Sequence, residues 1–443
     1  MLNENNVFAF LNFILYYRIM IRKITSLVVL CCLLVISAVA QKKRKPELLV
    51  YGNSIEAAVM ALQSAQSEVP TLWVRHKAFL EGYSGQNLAL SANSAKLSSG
   101  IFAQILCSAL KQTKVTDSIL VKSAADLPIQ KIVDFVEGRA KELPQLTIID
   151  NIDVKQLSGQ DDKWKVVLNN NVIYNLRSVI DASYEQRLTK QLSSTVQGAP
   201  VGDSLDSLTD NSLKTLLASG MFDSKMSFTT LQNILPKQGA NQFFAFAPPF
   251  DLMKSKDNLP YSVARAQAIA AVAAYMSFFK VSFDKIAVRK VQEELMNFGL
   301  ATFALQDIQS QEANFWYIQR VLLSGLLKPK LSEESLLFQP NDTLDFQSIK
   351  SNILASSTRS QIWFAEHDLH TLTLKDGISL ARFIGQRGSE MDNQVSQIWH
   401  KRFGKTYPYD MNRVLTRVEF ALLMDVFVNP FGLRIDNKGE LVQ

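Results

Sequence analysis

An α/β fold is predicted by three features read in order along the 443-residue chain. Residues 47–75, ELLVYGNSIEAAVMALQSAQSEVPTLWVR, alternate strand, tight turn, helix and strand. Short apolar runs between Leu146 and Leu176 then read as a meander, and after Lys280 the apolar pattern becomes helical throughout. The first feature has the layout of a dinucleotide-binding βαβ unit, in which a helix N-terminus faces a pyrophosphate. Together the three predict a Rossmann-like α/β domain with a β-meander, followed by a C-terminal all-α domain.

The elements follow from local pattern. Leu48–Tyr51 is an apolar run short enough for a buried strand, and Gly52-Asn53-Ser54 is a turn. Ile55, Ala58, Val59 and Leu62 recur at helical spacing, and Thr71–Val74 is a second apolar strand. Ile101–Leu110 and Ile129–Ala140 read as helices, the second introduced by Pro128. Leu146–Ile149, Val154–Leu157, Trp164–Leu168 and Val172–Leu176 read as strands, with Asn169-Asn170-Asn171 turning between the last two. Ser178–Asp181 is a further strand ending in an acid. Residues 186–240 show no firm pattern, and about 186–258 is taken as an insertion. The FFAFAPPF of Phe243–Phe250 suits an edge or lining segment rather than a central strand, because proline cannot donate to a central ladder. Ser262–Lys280 is an alanine-rich helix with Ser262 as its cap, and Ala266, Ala270, Ala273 and Ala274 would let another backbone approach.

This gives a first domain at 46–280 and a helical domain at 281–443. In the second, Asp284–Leu300 and Asn314–Leu327 are amphipathic. Asn341-Asp342-Thr343-Leu344-Asp345 is echoed by Asn412-Arg413-Val414-Leu415-Thr416, and Leu372-Thr373 opens a third such start. Each places a short polar residue before an apolar helix, which is the chemistry of an N-cap.

Residues 1–40 read as a leader. Arg22 and Lys23 precede the apolar Leu27–Ile36, Ala38-Val39-Ala40 offers a small-residue cleavage site, and Met20 gives a compact start. The competing reading is an uncleaved anchor, although the apolar run is short for a span of about 20 residues. Lys42-Lys43-Arg44-Lys45 resists translocation. A cleaved leader implies export, to a periplasmic or extracellular location. Cleavage leaves Cys107 as the single cysteine, which rules out an intrachain disulfide. It also removes three basic residues and one acidic residue, so the net charge falls from +6 to +4. The remaining charges are interspersed and form no basic stripe, which excludes nucleic acid as a partner. Membrane association is expected only through a leader that stays uncleaved.

Four segments together resemble secreted bacterial FAD-dependent oxidoreductases of the glutathione-reductase-type flavoprotein fold. LLVYGNSIEAA at Leu48–Ala58 is similar to that family's strand, G-x-G-x-x-G turn and helix. FLEGYSG at Phe79–Gly85 resembles its glycine-rich loop. SVIDASYEQRL at Ser178–Leu188 resembles its I-D-A-T-G-D strand end, and VARAQAIAAVAA at Val263–Ala274 the G-Q-A-A-G helix that closes the flavin site. Phe315–Leu327 and Leu415–Phe431 are similar to the family's helical tail, and the T-R-x-E-F phrase also looks like an S-layer-type repeat. The resemblance implies FAD as cofactor and hydride transfer through the flavin. It implies Gly52, Asn53, Ser54, Ala57, Arg75, Gly82, Gly85, Ser183 and Gln267 as cofactor-binding positions. It names no catalytic acid or base and no substrate.

Five departures bear on the flavin cradle. Ser54 stands for the second glycine of the turn, and Glu56 enters the first helical turn. Arg75 replaces the carboxylate that would hold the ribose, Tyr184 stands for a glycine, and Ala266 and Ala270 replace both glycines of the closing helix. A carboxylate about 6 Å from a phosphate charge costs roughly 3 kcal/mol at an effective dielectric of 20, unless Glu56 turns to solvent. The expectation is therefore weakened or lost FAD binding. The alternative to an oxidoreductase is a non-catalytic cell-envelope protein that binds a partner through its helical domain. A third reading has Arg75 meeting the 2′-phosphate of NADP.

Other candidates are weaker. His367 and His370 could begin a metal site but lack a third ligand nearby, so no metal is expected. Ser84 lacks the closing glycine of a nucleophile elbow. His76 reads as an exposed turn residue, Asp181 as a strand-end cap, and Trp316, Tyr317 and Trp363 as core. Cys107 reads as buried packing.

Overall fold

Five short parallel strands carry the first half of the molecule, as seen in a computed structural model that describes residues 45–160, 162–192, 202–234, 242–248, 252–367, 369–404 and 406–442. The leader at 1–40 lies outside the described residues, as do Pro249, Phe250 and Asp368. Strand β1 (Leu48–Tyr51) leads through the Gly52–Ser54 turn into helix α1 (Ile55–Gln66) and back to β2 (Thr71–Arg75). Next come β3 (Leu146–Asp150), the meander β4 (Val154–Gln160), β5 (Lys163–Leu168) and β6 (Ile173–Leu176), then β7 (Ser178–Asp181) and β8 (Phe243–Ala245). The main sheet runs β8-β7-β1-β2-β3, with every neighbouring pair parallel.

Period-two alternation explains why this sheet is buried on both faces. Leu48 and Val50 of β1 point into a core shared with α1, whereas Leu49 and Tyr51 pack against Val154, Trp164 and Val166 of the meander. β8 is an edge strand, and it ends at Ala245, ahead of Pro248.

The helix Leu259–Phe279 lies along α1. It has no polar face, and every residue from Leu259 to Ala274 is buried, as expected of a helix that is apolar all round. By length and composition it could cross a membrane, but 83% of its most apolar window lies inside this core. The expected cap at Ser262 is corrected. The helix begins three residues earlier, at Leu259, with Asn258 at the N-cap position and Pro260 in the first turn, where its missing N–H costs nothing. Ser262 is an interior residue.

Residues Pro46–Gln443 hold together as one compact unit. The hairpin Leu216–Phe222 and Lys225–Thr230, within the segment that had no readable pattern, contributes Leu216, Met226 and Phe228 to the core of the helical half. The change at Lys280 is thus one of secondary structure. The second half is not purely helical either, since Lys330–Leu331 and Leu336–Leu337 form a short antiparallel pair. The three repeated helix starts come together: Thr343 bridges Thr416, and Thr373 bridges Val414. Thr373 and Asp376 form a capping box, and Glu419 accepts from Thr416 N at the start of the next helix.

Candidate functional site: the helix N-terminus behind the first strand

Gly52 sets the geometry of the turn. Its φ is +146°, and a Cβ there would sit 2.5 Å from the Ala182 carbonyl oxygen, so only glycine lets β1 and the end of β7 approach this closely. Trp73 Nε1 donates to the Gly52 carbonyl at 2.9 Å, fixing the turn from below. Ser54 then caps α1, its Oγ accepting from Ala57 N at 3.2 Å. That N–H is one of the orphan donors a pyrophosphate would otherwise meet.

Glu56 does not turn to solvent, nor does it rest exposed beside a ligand. It is 3% exposed and accepts from Ser262 Oγ at 2.7 Å across the contact between α1 and the long helix. Burial raises its pKa, and the bond from Ser262 opposes this only in part. The reason is packing: the alanine-rich helix covers the face of α1 on which Glu56 stands.

Arg75 is likewise turned from any ligand. Its guanidinium donates to Glu137 at 2.6 Å and grips both carboxylate oxygens of Asp150, the Nη2 bond measuring 2.8 Å. It also lies over the Trp73 ring at 4.6 Å. All its strong donors face protein, which argues against both a ribose and a 2′-phosphate contact.

The remaining predicted positions are dispersed. Ser183 is 1% exposed and spent on its own turn, donating from N and Oγ to Asp181 and accepting from Arg187 N. Asp181 takes two further bonds, from Thr189 N and Oγ1 at 2.7 Å each, and so caps the turn as expected. Gln267 is fully buried, accepting from Ile101 N at 3.1 Å and donating to Gln63 at 2.8 Å. Gly82 and Gly85 have φ of +94° and +74°, but a Cβ on either meets nothing within 4 Å. They shape an exposed loop and do not make room for a neighbour. Asn53 and Ser54 are the two predicted positions that line the cavity at the α1 N-terminus.

That cavity encloses about 110 Å³. Glu56, Leu80, Glu81, Tyr83, Tyr184 and Leu252 complete most of its wall. Tyr184 brings its ring here, as its place at the strand end required. Sites for small molecules and cofactors usually measure roughly 300–1,000 Å³.

On the meander side of the strand ends lies a polar group that the sequence did not disclose. Tyr51 donates to Asp153, Arg187 donates to the other Asp153 oxygen at 2.8 Å, and His76 stacks on Tyr51 with ring centres 5.6 Å apart. His76 is half-buried, not the exposed residue expected. Burial, with Arg187 nearby, holds its pKa below the ordinary histidine range. Tyr51 is pushed well above its usual range by burial and by Asp153.

Elsewhere, His367 stacks on Trp363 at 4.1 Å and bonds the Trp363 carbonyl through Nδ1. Among the described residues no three His, Cys, Asp or Glu side chains converge as a metal site. Cys107 is free and buried, and burial raises its thiol pKa. Trp363 is core, whereas Trp316 and Tyr317 are partly buried at its edge.

No family model and no curated protein matches the sequence. Among solved structures, similarity is found to the bacillithiol disulfide reductase Bdr (YpdA) from Staphylococcus aureus, with TM-score 0.24 and 15% identity over 32% of this chain and 38% of that one. It is also found to p-nitrophenol 4-monooxygenase PnpA from Pseudomonas putida DLL-E4 (0.24, 11%, 35% and 44%). Tetracycline destructase Tet(51) matches at 0.26 and 11% over 34% and 42%. This chain spans less than half the length of each. At scores this low the likeness carries no argument, and the functional reading rests on the geometry of the seat itself.

Proposed function

We propose that this chain keeps a flavoprotein-like α/β framework whose dinucleotide seat is closed by its own side chains, and that it acts as a non-catalytic binding protein of the cell envelope. One observation carries the reading. The space at the α1 N-terminus is about 110 Å³, walled in part by Glu56 and Tyr184, where a dinucleotide would need several times that volume. FAD does not fit these residues: Ser54 occupies a helix donor, Arg75 is held by Glu137 and Asp150, and Gln267 is bonded to Ile101 and Gln63. No chemical step is therefore derived through a flavin.

The leader supports an exported location. The convergence of three repeated helix starts, joined by the Thr343–Thr416 and Thr373–Val414 bridges, is the feature that supports the helical half as the partner-binding region. A second reading, hydride transfer by a retained flavin, draws on the parallel β1–α1–β2 unit and on Gly52 held against Ala182. Thermal unfolding with added FAD separates the two. A ligand at 100 times its Kd stabilises by about 2.7 kcal/mol, so a retained site raises the Tm visibly, and a closed seat leaves it unchanged. A rise in Tm that titrates with FAD contradicts the closed-seat reading.

A further inference from the structure

A cleft of about 400 Å³ opens where the two larger cores of the molecule meet. It is several times the space at the α1 N-terminus, and it lies within the roughly 300–1,000 Å³ usual for small-molecule sites, which favour such junctions. One side comes from the short helix Ala92–Lys96 and the start of the helix Asp117–Ala124, whose Ala95 and Leu120 sit in the core of the sheet half. The other comes from the hairpin at Met221 and the segment around Leu305 and Ile308, which pack into the core of the helical half. Backbone and side-chain bonds tie the two sides together next to Leu97. Gly100 N donates to the Gly299 carbonyl at 2.8 Å, and Ala301 N to Ser99 Oγ at 3.2 Å. The cleft is therefore part of the framework.

Its lining has two characters. Leu97, Met221, Leu305 and Ile308 form an aliphatic wall, with Leu305 and Ile308 buried at its base. Three charged side chains, Lys96, Asp117 and Glu334, share the cleft with the amides of Asn93 and Gln306. Among the described residues, none of the three charged side chains makes a hydrogen bond or ion pair. The neighbouring Glu333, by contrast, is paired with Lys225 at 3.0 Å. Asp117 is half-buried, and burial, with Glu312 adding to it, raises its pKa against the pull of Lys96. A carboxylate withdrawn from water without a donor costs the fold free energy. Its placement is explained by a partner that arrives from outside.

We propose that this cleft binds an apolar α-amino acid in its zwitterionic form. The ligand's ammonium meets Asp117 and Glu334, its carboxylate meets Lys96, and its side chain packs on the aliphatic wall. The lining decides the class. Two carboxylates against one ammonium disfavour phosphate and other simple anions, and no aromatic ring lines the cleft for a sugar to stack on. A wholly apolar ligand would strip water from all three charges and pair none of them. A simple cation would leave Lys96 and the aliphatic wall unused. Binding here does not depend on the closed seat: retained FAD would overturn that reading and leave this one standing.

Isothermal titration of the full chain with L-leucine tests this. Saturable binding is expected, and N-acetylleucine, which lacks the ammonium, should bind about tenfold more weakly. Asp117→Asn should weaken leucine binding by about tenfold as well. Lys96 is exposed, so Lys96→Gln should weaken leucine by about threefold and should not weaken leucinamide, which has no carboxylate. Asp117 has no bonded partner to lose among the described residues, so the Tm of Asp117→Asn should match the parent. The proposal is overturned if leucine does not bind, or if Asp117→Asn binds it as tightly as the parent. It is equally overturned if N-acetylleucine binds as tightly as leucine, because the cleft then answers to the apolar body alone.

Discussion

Glu56 and Glu419 occupy the same kind of place, yet their pKa values are displaced in opposite directions. Each stands in the first turn of a helix, and they are 3% and 0% exposed. Glu419 is met by Arg413 and Tyr407 and accepts from Thr416 N at 2.9 Å. Burial alone would raise its pKa, but these bonds outweigh burial and hold it below the ordinary range. Glu56 is met by the hydroxyl of Ser262, which carries no charge, and its pKa is raised. Burial does not decide charge; the partner does. The contrast also separates the two halves of the molecule. One helix start is locked by an ion pair, while the other holds a buried acid bonded by an uncharged hydroxyl.

The largest effect should follow from breaking the locked start. Glu419→Gln leaves Arg413 facing a neutral group and should cost about 2–3 kcal/mol in urea unfolding, less than the roughly 3–5 kcal/mol of a fully buried pair because Arg413 is 30% exposed. Glu56→Gln keeps an acceptor of the same size for the Ser262 hydroxyl and should cost under about 1 kcal/mol. Equal losses in the two variants would erase the difference between the two starts.

Stability against pH carries the contrast further. The folded pKa of Glu56 is raised, so its contribution is complete below the unfolded value of about 4.3 and declines as pH rises through the folded pKa. Glu419 has a lowered folded pKa, so its contribution is present above about 4.3 and is lost as pH falls through the folded value. Relative to the parent, Glu56→Gln should therefore gain stability as pH rises above that value, and Glu419→Gln should flatten the acid limb. Urea midpoints measured from acid to neutral pH will show whether the two slopes differ in sign. The cap gives a value between those of the two glutamate variants: Ser54→Ala should cost about 1 kcal/mol by the same urea measurement.

What could be read from the sequence was local. The turn at Gly52–Ser54, the helix after it, the meander and the edge character of Phe243–Ala245 follow from period and from glycine and proline chemistry. Contacts between distant residues were hidden. Glu137 and Asp150 lie 62 and 75 positions from Arg75, and nothing in the spacing announces that they will claim its guanidinium. The sequence left Glu56 either beside a ligand or turned to solvent, because Ile55, Ala58, Val59 and Leu62 define one apolar face. The second face of α1 is buried by a helix that begins far along the chain, at Leu259, and sequence period cannot report that.

The Leu216–Thr230 hairpin was missed because its two-residue turn is Asp223-Ser224. Both residues take positive φ, +48° and +64°, without the glycine that usually marks such a turn. The start at Leu259 was legible in principle, since proline in a first helical turn is a known signal, but Ser262 offered the more familiar cap.

Whether the protein's own side chains fill the place where a flavin dinucleotide would bind is read most directly from the visible absorption spectrum of freshly purified protein. A closed seat gives a colourless protein whose spectrum does not change after incubation with FAD and removal of the excess. A yellow preparation with a stoichiometric flavin band that survives gel filtration would contradict it.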